Sequence, residues 1–365
     1  MKHSIDFKGF PSTRYQGSKR KLLPWLYENI STLKFTTALD MFGGTATVSY
    51  LLKKMNKHVT FNDYLKSNYY VAKALIENDN VTLSDGDISY LLNKHKTISY
   101  DTFVQRTFSN IYYTEKENKW IDQFLSNWQN LGNIYPYHNH ILEYKKALAF
   151  SAFSQSALKK RPFNLFHRAN LDLRLNHVKR TFGNKTSWEG SFDEYFRYFV
   201  LEINKAVFDN GKKNTALNLR VNEFQPHEKF DMIYIDPPYM RKGVSSSDVD
   251  YMRFYHFLEG CADPDTWPSR INYNSKNLRM NDEFSNEWIS SSENRKAFEN
   301  LFNIFKDSII VISYKQPGLP SKKQLNNSLK KYKRKVVVTP GRTYHYALNR
   351  NNGFHKEYQL IGIDK

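Results

Sequence analysis

The segment Ile233-Tyr234-Ile235-Asp236-Pro237-Pro238-Tyr239 sets an acid, two prolines and an aromatic directly after an apolar run. Proline fixes φ and removes an N–H donor, so two in succession make a stiff loop whose carbonyls stay free to accept hydrogen bonds. The Asp236 carboxylate and the Pro237 carbonyl are then two acceptors for the two protons of an exocyclic amine such as adenine N6. Holding both protons favours a tetrahedral nitrogen with its lone pair free for in-line attack on a methyl sulfonium. Such chemistry requires no metal and no covalent intermediate; it is positioning and electrostatic complementarity. Tyr239 offers a ring face to a base drawn out of a duplex. Taken alone, the same residues also satisfy a rigid turn after a buried strand, so partners must be sought elsewhere in the chain.

A second segment, Asp40-Met41-Phe42-Gly43-Gly44-Thr45-Ala46, runs from a short apolar stretch through a glycine turn into a helix-like stretch. Glycines there let backbone approach a ligand closely. Asp63 follows 19 residues after Gly44, at the end of the next apolar run, a spacing suited to a carboxylate on ribose hydroxyls. The phosphate-cradling G-x-G-x-x-G of dinucleotide enzymes is absent, so a nucleoside without phosphates fits better than a dinucleotide. A third segment, Arg14-Tyr15-Gln16-Gly17-Ser18-Lys19, precedes an amphipathic stretch carrying Leu22, Leu23, Leu26 and Ile30. A fourth, Val221-Asn222-Glu223-Phe224, lies shortly before the strand that ends at Asp236.

The elements that must carry these residues are short. Thr37–Phe42, His58–Asn62, Phe230–Ile235 and Ser308–Ser313 are apolar runs bounded by polar residues or Gly/Pro, as buried parallel strands require. Helical spacing follows at Thr45–Met55 and again at Asn294–Phe305, with Phe298, Leu301, Phe302 and Phe305 on one face. Strand–helix alternation predicts an α/β fold with a parallel sheet, and Glu357–Ile363 reads as a last strand. Residues 85–209 break the alternation. They are aromatic, basic and mostly helical in spacing, which predicts an insertion between a first catalytic segment, 1–84, and a second, 210–365.

The formal charge is +18, which suggests a polyanionic partner. Residues 140–185 hold ten Lys/Arg against two acids, and 315–342 hold nine against none. Lys159, Lys160, Arg161 and Arg168 in the first stretch, and Lys322 and Lys323 in the second, are the expected phosphate contacts. Charge reversal at Lys159, Lys160 and Arg161 is therefore expected to weaken DNA binding. Cys261 is the single cysteine, which excludes an internal disulfide and a cysteine-based zinc cluster. No apolar run reaches 18 residues and the first residues carry no apolar signal core, so a cytoplasmic protein without a membrane span is expected.

Together these segments resemble the Dam-like, class D12 (alpha-group) DNA adenine-N6 methyltransferases. That family runs from R-Y-x-G-S-K through D-x-F-x-G-x-G and a target-recognition region to D-P-P-Y, an order matched by Arg14–Lys19, Asp40–Ala46 and Asp236–Tyr239. Asp250–Gly260 and Tyr344–Ile363 also look like stretches of some members. Ala46 departs from the pattern, standing where the family has glycine; a place in the first helical turn would accommodate it. The resemblance implies a Rossmann-like S-adenosylmethionine-dependent sheet with a mainly helical insertion that reads the DNA sequence. By position, Tyr15, Gly17 and Lys19 would line the cofactor pocket, Asp40, Phe42 and Gly44 would hold the methionine part, and Gly43 and Thr45 would also bind the cofactor. Asp63 would bind the ribose, Glu223 and Phe224 would sit near the cofactor adenine, and Asp236, Pro237, Pro238 and Tyr239 would hold the target base.

The implied partner is double-stranded DNA in a bacterium or its phage, with a cognate restriction endonuclease as a further partner and S-adenosylhomocysteine as product. The competing readings are methylation of RNA or of a protein amide, and a DNA-binding relative that has lost catalysis. Cytosine N4 enzymes usually show Ser at the acid position, and cytosine C5 methylation needs a Pro-Cys nucleophile that Cys261 does not supply.

Overall fold

The computed structural model describes the chain except residues 1–4, 8, 137, 177–184, 242, 244, 247–248, 282–285, 346–353 and 365. Part of the C-terminal stretch Tyr344–Ile363 thus lies outside the described residues. Among those described, eight strands form one sheet: β1 Thr37–Asp40, β2 His58–Asn62, β3 Thr215–Leu217, β4 Met232–Ile235, β5 Ile309–Gln316, β6 Lys335–Val338, β7 Arg342–His345 and β8 Phe354–Ile363. The order is β3-β2-β1-β4-β5-β8-β6, and β7 also pairs with β8. The first five are parallel, and β8 turns antiparallel on β5.

The chain builds outward from β1 to β2 and β3 on one side, then crosses back to β4 and β5 on the other. β1 and β4 are therefore neighbours at the point where the winding reverses, with Asp40 beside Tyr234. Ligands of open parallel sheets bind beyond the carboxyl ends of strands at such a switch point. Both acids singled out from the sequence, Asp40 and Asp236, end the two strands that flank it.

Side chains alternate between two apolar layers, as the two-residue period of a strand dictates. Ala38, Val59, Phe61, Met232, Tyr234 and Val311 belong to one cluster. Leu39, Ile233, Ile235, Ile310 and Ile312 belong to the other, with Phe298, Leu301 and Phe302 of the Asn294–Ile304 helix. Burial on both faces is why these strands read as continuous apolar runs. The expected α/β, Rossmann-like sheet with helical insertions is the observed architecture.

Residues 85–209 are helical wherever described as regular structure. The Asn139–Lys159 helix is buried almost continuously from Tyr144 to Leu158. Its Ala147, Ala149, Ser151, Ala152, Ser154, Ser156 and Ala157 are small on every face, which suits a helix enclosed by others. It packs on the Phe192–Ala206 and Lys66–Ala72 helices, and its apolar side chains join the same cluster as one face of the sheet.

Candidate active site

Asp236 leaves β4 at the switch point and meets Lys19, which begins a short 3-10 turn at Lys19–Leu22. The Lys19 ammonium lies 2.8 Å from one Asp236 oxygen and 2.9 Å from Glu357 of β8. The Tyr239 hydroxyl donates to the other Asp236 oxygen, lies 3.1 Å from the Lys19 Nζ that donates to it, and its ring packs edge-on against Tyr314. Ser313 of β5 donates to Glu357. Burial, reinforced by the Glu357 charge, pushes the Asp236 carboxyl up to about 6 against the pull of Lys19. The two carboxylates hold Lys19 well above the ordinary lysine range although burial opposes this. Asp236 accordingly carries its charge at neutral pH. Each carboxylate oxygen has two lone pairs, so acceptor capacity is left for an incoming amine.

The glycine turn after β1 is held from below by Asp63. Its carboxylate accepts the Gly44 N–H at 2.8 Å, the Leu65 N–H at 2.9 Å and the Asn68 side chain at 3.2 Å. Asp63 is thus first a brace for the turn, with one lone pair left for a hydroxyl, a use that spacing alone did not reveal. Gly43 has to be glycine: a Cβ there would lie 2.0 Å from the Phe61 ring. Gly44 has φ +51. Asp40 accepts the Ser49 N–H at 3.1 Å and its hydroxyl at 2.6 Å, while burial pushes its carboxyl up to about 7. Ala46 corrects the expectation of a helical first turn. It precedes the Thr47–Lys54 helix in the left-handed region, φ +57, where glycine is the unstrained residue.

Tyr15 is fixed by residues the sequence reading did not connect to it. Its ring stacks on Tyr255 at 4.3 Å and Tyr251 at 5.4 Å, both on the Tyr251–Ala262 helix one turn apart. The Tyr255 hydroxyl accepts the Gln16 N–H at 2.7 Å, and Asn68 donates to the Tyr15 hydroxyl at 3.0 Å. Gly17, φ +83, fits under Tyr251, where a Cβ would lie 2.7 Å from the hydroxyl oxygen. The Tyr-x-x-x-Tyr spacing was visible in the sequence and places two rings on one helix face; their target, some 240 residues away, was not.

Between these parts lies a cleft of about 370 Å³. Tyr15, Gly17, Lys19, Asp40, Phe42, Gly43, Gly44, Thr45, Asp63, Glu223, Asp236 and Pro238 line it, as expected for either cofactor or target. Tyr64 and Trp288, which the sequence reading missed, complete its aromatic wall, Trp288 lying edge-on to Phe42 at 4.8 Å. Gln16 is among the lining residues, and its buried Oε1 has no hydrogen-bond partner among the described residues. Six carboxylates (Asp40, Asp63, Glu223, Asp236, Glu287 and Glu293) and six aromatic side chains (Tyr15, Phe42, Tyr64, Tyr234, Tyr251 and Trp288) line the cleft, which suits a cationic nucleoside such as S-adenosylmethionine, whose sulfonium and ammonium are positive and whose adenine and ribose offer donors.

Several expected site residues lie elsewhere. Phe224 is buried against Phe230 and Phe305, away from the cleft wall, while the neighbouring Glu223 is exposed at its rim. The Pro237 ring is buried and does not line the cleft, which leaves its expected role to the backbone carbonyl. Among the expected phosphate contacts, Lys160 and Arg161 are interior residues, 2% and 1% exposed. Lys160 pairs with Glu117 at 2.9 Å, and Glu117 also takes Arg174 at 2.6 Å. Arg161 donates to the carbonyls of Tyr112, Leu165 and Arg168 and to Asn170. The chain after the Asn139–Lys159 helix turns inward here, and buried cations survive because each is matched by an acid or by carbonyls. Lys159 is half-buried over the Tyr195 ring and Lys322 over Tyr358, whereas Arg168 and Lys323 are exposed.

No helix among the described residues is long and apolar enough to cross a membrane. The sequence pattern of the D12 class N6 adenine-specific DNA methyltransferases matches residues 15–316. The chain is 26% identical over 337 residues to type II methyltransferase M2.HphI of Haemophilus parahaemolyticus, covering 90% of each. It is 27% identical over 373 residues to modification methylase StsI of Streptococcus sanguinis, covering 95% of this chain and 51% of that one. With type II methyltransferase M.FokI of Planomicrobium okeanokoites it shares 25% over 340 residues, covering 87% of this chain and 47% of that one. It therefore spans nearly all of the first relative and about half of the other two. An ordered set of motifs converging on one switch-point cleft, and a match that runs from Tyr15 through Gln316, place the chain in the family of D12 class N6 adenine-specific DNA methyltransferases, which take their methyl group from S-adenosylmethionine.

Proposed function

We propose that the enzyme methylates adenine N6 at a specific sequence of duplex DNA, with the target base swung out of the helix. The juxtaposition of the Asp236-Pro237-Pro238-Tyr239 loop and the acidic, aromatic cleft at the β1–β4 switch point carries this reading. The cofactor, when bound, supplies an electrophilic methyl group on a sulfonium. Tyr15, Phe42 and Trp288 offer it ring faces, the Gly43–Gly44 turn lets it approach the backbone, and the carboxylates favour its positive charge. Asp236 and the Pro237 carbonyl take the two N6 protons and leave the nitrogen lone pair for attack; Lys19 keeps Asp236 ionised and aimed. The transfer needs no metal, because both N6 protons go to protein oxygens. The motif order is that of the Dam-like alpha group, and the enzyme works in the cytoplasm.

The 85–209 insertion is proposed to read the sequence, with 1–84 and 210–365 as the catalytic part. Arg168, Lys323 and the half-buried Lys159 and Lys322 are the proposed phosphate contacts. The relatives are named as type II methyltransferases or modification methylases, which favours a modification role beside a cognate restriction endonuclease. The test is incubation with S-adenosylmethionine and either diverse duplex DNA or RNA, followed by mapping of modified positions. N6-methyladenine confined to one DNA sequence context supports the proposal. Methylation of RNA alone, or of adenines in every context, contradicts it.

A further inference from the structure

The last long strand brings a buried acid to the active centre. Glu357 of β8 is wholly buried, takes the Ser313 hydroxyl and lies 2.9 Å from the Lys19 ammonium, which reaches Asp236 on its other side at 2.8 Å. β8 is antiparallel on β5, with Glu357 opposite Lys315. The Lys19 ammonium is thus held between two carboxylates from different strands, and Asp236 does not have it to itself where the target amine must dock.

We propose that Glu357 is a positioning residue for methyl transfer: it clamps the Lys19 ammonium against Asp236, fixing the direction of that carboxylate and keeping it from being neutralised by a lysine of its own. This rests on the reading of Asp236 as acceptor of the target amine. The arrangement makes Asp236 a better acceptor than a one-to-one pair with Lys19 would. The other groups facing it are Tyr239 on its own loop, Tyr234 of β4 and Asp40 of β1; Lys315 of β5, opposite Glu357, interacts electrostatically with Glu357, Lys19 and Arg241.

The experiment compares wild type, Glu357→Gln and Glu357→Asp in single-turnover methyl transfer to duplex DNA between pH 5 and 9. Cofactor affinity is measured by calorimetry and folding by thermal melting. Glu357→Gln should transfer methyl on the order of tenfold more slowly, with its acid limb displaced about one pH unit downward, because a lost like charge lowers the basicity of Asp236. Its cofactor affinity should stay near that of wild type. Glu357→Asp, which keeps the charge but withdraws it from Lys19, should slow transfer while leaving the acid limb in place. It decides the matter by rate alone should the glutamine variant not fold. Unchanged rate and acid limb in a folded Glu357→Gln, or a loss of cofactor binding that accounts for all of its slower transfer, would overturn the proposal. Failure of wild type itself to methylate adenine would overturn the reading of Asp236 on which the proposal rests, an outcome separable from any variant's behaviour.

Discussion

Replacing Arg161 with methionine separates a DNA contact from a structural cornerstone. The guanidinium is 1% exposed, donates at 3.2 Å to Leu165, 3.1 Å to Tyr112, 2.9 Å to Arg168 and 2.6 Å to Asn170, and lies 4.6 Å over the Tyr112 ring. Methionine keeps much of the volume and none of the donors. A hydrogen bond to a charged group contributes about 1.5–3 kcal/mol, and such values do not add fully where the groups act together. Two or more carbonyls left without partners set the expected loss at about 3–4 kcal/mol, a sizeable part of the ~5–15 kcal/mol that holds most domains folded. In a chain of this size the melting temperature should fall on the order of 6 °C. Urea unfolding and thermal melting measure the loss, and DNA titration across salt concentrations measures the contact. Arg161→Met should lose stability with the salt slope unchanged. The exposed Arg168→Ala should melt like wild type and lower the slope by about one. A normally stable Arg161→Met with a reduced salt slope would refute the burial argument and restore the expectation from charge clustering.

Three further outcomes follow from the site. Gly17→Ala sets a Cβ 2.7 Å from the Tyr251 hydroxyl at φ +83, so strain of about 1–2 kcal/mol should disturb the Tyr15 stack and weaken cofactor binding roughly tenfold by calorimetry; unchanged affinity would contradict that fit. Asp236 must be ionised to accept the amine, and its carboxyl lies raised at about 6, so kcat/KM for DNA should be level above that pH and fall about tenfold per unit below it. A profile flat down to pH 4.5 would contradict it. Ala46→Gly relieves left-handed strain of about 1–2 kcal/mol but returns about 0.4–1 kcal/mol of unfolded-state entropy, so urea unfolding should show a small net gain in stability; a clear loss would mean that the Ala46 methyl packs more than it strains.

What the sequence made legible were features written locally. Buried parallel strands must be continuous apolar runs, so β1, β2, β4 and β5 stood out, whereas β3 has three residues and β6 lies at the edge with Lys335, Val337 and Val338 exposed and Val336 half-buried. Glycine turns and a proline-stiffened acid are likewise local statements of geometry. Contacts between distant segments were not legible. Lys160 and Arg161 look like surface charge until Glu117, on another helix, and the carbonyls of the loop after Arg161 appear beside them. Tyr251 and Tyr255 read as one face of a helix, yet their partner is Tyr15. Phe224 and Glu223 are neighbours in sequence, yet Glu223 lines the cleft while Phe224 is buried in the core. Asp63, expected on ribose hydroxyls, lines the cleft, and the three donors that hold it brace the Gly44 turn.

The most direct test of the central claim is transfer of labelled methyl from S-adenosylmethionine to unmethylated duplex DNA by wild type and Asp236→Ala, with nucleoside analysis of the product and cofactor binding measured on both. N6-methyladenine should form with wild type, and Asp236→Ala should bind cofactor but yield none above background. Comparable N6-methyladenine from the variant, or a different methylated base from wild type, would contradict the role assigned to Asp236.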